Sequence, residues 1–283
     1  RILPSVSRIS TSIQQIRFRE KTIRDLYNEF YYQNYSFKNN LKIKNEKKIL
    51  SSDRLAFKDR ISVKNLSFNY NEKSKAILKN ISFEIKKGEF LGIYGESGSG
   101  KTTLVNLMIG LLESEKIFCD NKSIFHNLDN WQKNIGYVAQ DTYLIDDTIK
   151  NNIAFGIPSN LINGKKMSNC LEKSQLNHFI ETLPEGIETV VGERGINISG
   201  GQKQRIGIAR ALYHDPDILF FDEATSALDM NTEQNLLSSI KELKREKTII
   251  FVTHRQSIIL ECDKVLILEE KKIKYFGEPK NIN

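Results

Sequence analysis

The chain has 283 residues, 39% hydrophobic and 27% charged, room for one large globular domain or for a domain with an appendage. Three separated cysteines, Cys119, Cys170 and Cys262, form no CxxC pair, which argues for reduced thiols in a cytosolic setting and against a disulfide framework or zinc site. Neither a run of 18 apolar residues nor a signal-like apolar stretch occurs, so nothing in the sequence is expected to span a bilayer. The net charge of +7 lies wholly in residues 1–50, with 11 Lys and Arg against 4 Asp and Glu. A nucleic-acid-binding domain would spread such an excess over its folded face, so no nucleic-acid partner is expected. The first residue is Arg1 rather than Met, as in a piece of a longer protein.

Over residues 1–32, Ile2, Val6, Ile9, Ile13, Ile16, Ile23, Tyr27 and Phe30 recur at four-three spacing, broken only at Glu20. This predicts an amphipathic helix with a near-heptad seam, Pro4 being tolerable in its first turn. Two readings stand: a helix packed on the body of the same domain, or the cytoplasmic end of a bundle helix whose Lys and Arg lie beside a membrane. Residues 33–58 are mostly polar and basic and read as a linker.

From Ile61 the pattern alternates. Strands are predicted over 61–70 and 81–85, separated by a turn at 71–74, and a buried strand over 90–94 leads into Gly95-Glu96-Ser97-Gly98-Ser99-Gly100-Lys101-Thr102. That stretch fits G-x-x-x-x-G-K-[ST] and runs on into the apolar helix that opens at Thr103. Glycines let backbone amides turn inward on a phosphate, and the helix N-terminus adds partial positive charge. Lys101 is expected to reach the β- and γ-phosphates of a nucleoside triphosphate and the Thr102 hydroxyl a Mg²⁺ ion. Tyr70 is either a platform for the base or a plain surface tyrosine.

A small hairpin follows at 116–124 with Asp120-Asn121 at its turn, then an apolar strand at 135–139 that ends on Gln140. Residues 141–213 read as an inserted helical lobe, with helices over 149–155 and 170–183. Strands at 217–221 and 248–252 flank a helix over 232–245, and a hairpin at 265–276 closes the chain. The alternation predicts an α/β fold: a P-loop NTPase with a mostly parallel central sheet, a small antiparallel β subdomain and an inserted α-helical subdomain, over residues 59–283.

Two further stretches carry chemistry. Ile218-Leu219-Phe220-Phe221 ends in Asp222 and Glu223, which puts two carboxylates at the carboxyl edge of the sheet: Asp222 to hold Mg²⁺ and Glu223 to act as general base on water. Ser199-Gly200-Gly201-Gln202 opens an apolar-periodic helix, a second anion site built on a helix N-terminus. One nucleotide has no evident use for two such sites on one chain. The economical answer is that the second completes the pocket of a partner subunit.

With these motifs in place, residues 60–280 resemble the nucleotide-binding domain of the ATP-binding cassette (ABC) family. Ser199–Gln202 is similar to the family signature, with Ile198 where Leu is usual, and Gln140 to its Q-loop glutamine, which contacts the metal and the transmembrane partner. Ser226-Ala227-Leu228-Asp229 is similar to the D-loop, and His254 to the switch histidine that meets the γ-phosphate. Tyr70 falls at the base-stacking position. The resemblance implies ATPase activity, with Glu223, His254 and Lys101 in catalysis. It places the nucleotide on Tyr70, residues 95–103, Gln140, Ser199–Gln202 and Asp229, and the metal on Thr102, Gln140 and Asp222. The turn at 112–116 is shorter than is common in the family.

Val191-Gly192-Glu193-Arg194-Gly195 and the stretch 147–156 resemble loops of exporters. By that resemblance two copies bind ATP head to tail and drive an attached transmembrane domain, expected upstream of Arg1, at the cytoplasmic face of the inner membrane. Short fragments such as Leu3-Pro4-Ser5 and Leu26-Tyr27-Asn28-Glu29 resemble exporters of lipids, polysaccharides or lipid-linked glycans. A soluble cassette ATPase or a detached importer subunit is the alternative. The former lacks its usual coiled coil or second cassette here, and the latter would start near Ile61.

Overall fold

A computed structural model describes residues 3–40, 54–71, 76–225, 230–244 and 246–281, in two compact units that divide between residues 53 and 54. The first unit is one helix, α1 (Leu3–Asn40). Pro4 sits in its first turn, where a missing amide costs nothing. The seam residues Val6, Ile9, Ile13, Ile16, Ile23 and Tyr27 are exposed, and Glu20, which interrupts them, pairs with Arg24 at 2.6 Å. The helix runs eight residues past the predicted end at 32, because extending a formed helix adds one hydrogen bond per residue fixed and polar side chains do not stop it. Residues 41–53 of the expected linker lie outside the described residues. Its last part is not linker: Phe57 is buried, the Leu55 amide bonds to the Asn130 carbonyl, and the Arg54 guanidinium donates to the carbonyls of His214 and Asp215. Among the described residues no helix is long and apolar enough to cross a membrane.

The second unit runs β1 (Arg60–Phe68), β2 (Leu78–Lys86), β3 (Phe90–Gly95), α2 (Lys101–Met108), β4 (Ile117–Cys119), β5 (Lys122–Ser123), α3 (Leu128–Gln132) and β6 (Ile135–Val138). The helical lobe holds α4 (Ile149–Ile153), α5 (Gly164–Lys173), α6 (Asn177–Glu181) and α7 (Gly200–Tyr213). The chain then returns through β7 (Ile218–Asp222), α8 (Met230–Leu243), β8 (Thr248–Val252), α9 (Gln256–Ile259), β9 (Lys264–Glu269) and β10 (Lys272–Gly277). The single helix expected over 170–183 is two, interrupted at Ser174–Leu176 where Gln175 takes a left-handed φ of 57°. The turn predicted at 71–74 falls mostly on residues outside those described.

Strands β2-β1-β4-β5 form an antiparallel sheet, and β10-β9-β3-β8-β7-β6 a six-stranded sheet that is parallel except for β10. The alternating burial along most of β2 suits a sheet with one wet face, and the all-buried β7 and β8 suit one covered on both faces. Alternation within those strands divides the core. Leu219, Phe221, Ile249 and Phe251 face the helical lobe, with the Phe221 and Phe251 rings stacked at 5.1 Å. Ile218, Phe220, Ile250 and Val252 face α2 and the antiparallel sheet. Trp131, fully buried, donates from Nε1 to the Met108 carbonyl and so closes the C-terminal end of α2. All three cysteines are free and buried, and burial pushes the Cys119, Cys170 and Cys262 thiols up to about 12, 11 and 12.

The predicted hairpin at 116–124 forms, with Asp120 and Asn121 at φ 46° and 66°, the left-handed turn that these residue types tolerate. Asp120 does more than turn the chain. Its carboxylate accepts from the amides of Lys58, Asp59 and Arg60 at 2.6, 2.9 and 2.9 Å, stapling the entry of β1 to the hairpin. Burial pushes this carboxyl up, but the three amides outweigh it and hold the group below its usual range. A depressed folded value means that the stabilisation is present above the unfolded value and is lost as pH falls through the folded one. Asp120→Asn keeps the turn geometry but loses the charge and one acceptor. We expect it to destabilise the fold by about 1–2 kcal/mol at pH 7 and by much less near pH 2, as read by denaturant unfolding at the two pH values.

Candidate functional site

The phosphate loop leaves the carboxyl end of β3 and enters α2. Gly100 has φ 102°, and a Cβ there would meet the Leu78 side chain at 2.7 Å, so only glycine fits. As the N-cap it also has no side-chain oxygen to take the first amides of α2, which leaves them for an anion. Lys101 is buried and its ammonium donates to the carbonyls of Gly95 at 2.8 Å and Glu96 at 2.9 Å. An ammonium has three donors, so one remains to point across the loop. The Ser99 hydroxyl is buried with no protein partner, an orphaned polar atom inside a loop that already suits phosphate oxygens. Thr102 is exposed on the first turn of α2, and the Thr103 hydroxyl lies 3.2 Å from the Tyr70 hydroxyl. Tyr70, 54% exposed, packs edge-on against Phe68, which anchors its ring beside the loop.

Register sets the rest. Val252 of β8 pairs with Ile93 of β3 on one side and Asp222 of β7 on the other. Asp222 therefore ends its strand level with Ile93, two residues before the end of β3, at the edge of the sheet from which the loop leaves and about 10 Å across at normal strand spacing. Asp222 as a whole is 4% exposed. Burial pushes its carboxyl above the usual carboxylate range and Glu223 adds to this, against a 3.3 Å hydrogen bond from the Tyr137 hydroxyl and the charge of Lys101. Tyr137 in turn is pushed up to about 12 by burial first and Asp222 second. A buried carboxylate disfavoured in this way accommodates a divalent cation well, and the Thr102 hydroxyl and Gln140 amide are the oxygen donors that a hard cation takes.

Glu223 is held in the left-handed region at φ 49°, its amide bonded to the Val252 carbonyl. A non-glycine residue there carries backbone strain, and such strain concentrates at working sites. The Glu223 Oε2 accepts from Gln140 Nε2 at 3.1 Å, and His254 Nδ1 lies 3.7 Å from the same oxygen. Thus loops from β3, β6, β7 and β8 bring Lys101, Gln140, Asp222, Glu223 and His254 to one sheet edge.

Ser199–Gln202 are elsewhere. Ser199 caps α7 in a reciprocal box: the Gln202 amide donates to its hydroxyl at 3.3 Å and its own amide donates to Gln202 Oε1 at 2.9 Å. Ile198 is buried beneath, while Ser199 and Gly200 are exposed at the helix tip. α7 packs on β6, α4 and α5, and among the described residues no hydrogen bond joins 199–202 to 95–102. Asp229 lies outside the described residues. Two groups escaped sequence reasoning, Tyr137 and the Arg255–Glu233 ion pair, because nothing local marks a tyrosine in a strand or a charge in a helix as a neighbour of the site.

The family model "ABC transporter" matches residues 78–226, more than half of the chain. The mitochondrial iron-sulfur clusters transporter ATM1 of Kluyveromyces lactis is 43% identical over 76% of this chain and 30% of its own. The ATP-dependent lipid A-core flippase of Pasteurella multocida is 37% identical over 76% of this chain and 38% of its own. Among solved structures, a bacterial Atm1-family ABC exporter with ATP bound superposes with a TM-score of 0.75 at 34% identity, over 82% of this chain and 41% of that one. The chain thus spans about a third of the length of the curated relatives it matches. A phosphate loop, a paired carboxylate edge and a glycine-tipped helix on one fold agree with the sequence match: this chain belongs to the ABC transporter family, as its ATP-binding, ATP-hydrolysing domain.

Proposed function

We propose that the chain is the motor of a membrane exporter, in which two copies close head to tail on ATP and drive a transmembrane domain that precedes Arg1. The observation that carries the two-copy reading is the exposed tip of α7: an amide-rich helix N-terminus with no acidic residue in its first turn, on a different lobe from the phosphate loop. The exporter reading is supported by the relatives' names and by the seam of α1, whose apolar residues are exposed along a basic helix. The flippase relative favours a lipid-like cargo; a polysaccharide or lipid-linked glycan cargo, and a place at the cytoplasmic face of the inner membrane, belong to the same proposal on the sequence resemblance alone.

The residue roles proposed with this reading are supported by the geometry of the site and by the family resemblance. The amides of 95–103 and the Lys101 ammonium bind the phosphates, and Tyr70 offers its ring to the base. Thr102, Asp222 and Gln140 would hold Mg²⁺, which supplies charge neutralisation at the transferring phosphoryl group. Glu223 takes the proton of the attacking water, using the oxygen that Gln140 and His254 leave free. His254, exposed at the rim, meets the γ-phosphate. Ser199–Gln202 of one copy, with Asp229, face the nucleotide of the other.

Two outcomes test these roles. Glu223→Gln should bind ATP with unchanged affinity, lose turnover by about 10²–10³-fold, and elute as an ATP-dependent dimer in size-exclusion chromatography. Hydrolysis at the wild-type rate would remove Glu223 as base. Asp222→Asn removes a buried charge that folding disfavours, since a raised folded value means the ionised form costs stability at pH 7. Without nucleotide it should melt a few degrees higher, by about 2–4 °C, while Mg²⁺ no longer strengthens ATP binding. Unchanged Mg²⁺ dependence would take the metal off Asp222.

A further inference from the structure

We propose that the Arg255–Glu233 ion pair is a positioning strut that ties the His254 turn to the first turn of α8 and couples the two nucleotide sites. The inference rests on the two-copy reading above. The turn is fixed at its base: the Thr253 amide bonds to the Ile93 carbonyl at 3.1 Å, and the Arg255 amide bonds to the Thr253 hydroxyl at 3.0 Å. His254 between them lies beside Glu223. The Arg255 guanidinium then reaches Glu233 Oε2. Glu233 is 7% exposed, and its other oxygen is buried with no protein partner. α8 begins at Met230, one residue after Asp229, and Met230 itself is 75% exposed.

A half-satisfied buried carboxylate held by one arginine is a poor way to gain stability, because desolvation offsets most of the attraction and an apolar pair would pack as well. Such a pair does fix registry. A charge-assisted bond between Arg255 and Glu233 keeps the residue next to His254 at a set distance from the residues that follow Asp229. A displacement of His254 by the γ-phosphate is therefore delivered to the start of α8, the part of the chain that the two-copy reading turns toward the partner. The strut makes each site sense the other's phosphate.

The measurement is ATP turnover against ATP concentration for purified wild type, Glu233→Gln, Arg255→Gln and the charge swap E233R/R255E. Each single variant should keep KM within about two-fold, lose kcat by about ten-fold, and lower a Hill coefficient near 2 toward 1. The swap should regain more than half of the lost kcat on a logarithmic scale. Arg255→Gln reads the same contact from its more exposed side if Glu233→Gln fails to fold. Single variants with wild-type kcat and Hill coefficient would overturn the strut, as would losses that the swap does not recover. A wild type without cooperativity, together with a Glu223→Gln form that stays monomeric in ATP, would instead sink the two-copy reading and the strut with it.

Discussion

The hydrogen bonds that lock β8 between β3 and β7 hold the rest in place. Val252 is level with Ile93 on one side and Asp222 on the other, so two loops separated by more than a hundred residues of sequence leave the sheet at one edge. The phosphate loop, the carboxylate pair and His254 are all consequences of that register. A slip of one residue in β7 would turn Asp222 to the opposite face and bring Phe221 to the edge. The stacked Phe221 and Phe251 rings and the all-buried β7 make such a slip costly.

On this scaffold the site is assembled from groups that are individually uncomfortable. Asp222 is a carboxylate pushed up by burial, Glu223 has a left-handed backbone, Lys101 is an ammonium resting on loop carbonyls, and the Ser99 hydroxyl is buried without a partner. A cation would suit the buried Asp222 carboxylate, and a phosphate the Lys101 ammonium and the Ser99 hydroxyl. The same arrangement explains why the helical lobe is separate. α7 anchors by Arg210, which donates to the carbonyls of Asn152 and Tyr143, and Gln204, which donates to the Ala139 carbonyl, one residue before Gln140. The glycine-tipped helix and the Gln140 loop therefore form one mechanical piece.

How much of this was legible depended on whether the signal was local. The phosphate loop, the Asp222–Glu223 strand end and the Asp120–Asn121 turn are written in consecutive residues, and their elements formed where expected. Gln140 and His254 were placed by family resemblance, since their meeting at Glu223 depends on a strand order that no spacing encodes. Tyr137 and the Arg255–Glu233 pair were invisible for the same reason. Residues 33–40 looked like linker because a polar composition does not by itself distinguish a helix from an irregular segment. Arg54 and Phe57 looked like linker because the partners of Arg54 lie 160 and 161 residues away in sequence and Phe57 is buried in the core shared by α2 and the antiparallel sheet.

The central claim is that the phosphate loop is half of a site and that Ser199–Gln202 of a second copy is the other half. It is tested most directly by mixing two inactive variants, Lys101→Ala and Ser199→Arg. If the halves come from different copies, each mixed pair contains one intact loop facing one intact helix tip, and ATP hydrolysis returns on mixing. If the mixture stays as inactive as its components while each variant still associates with wild type, the site is complete within one chain and the account is wrong.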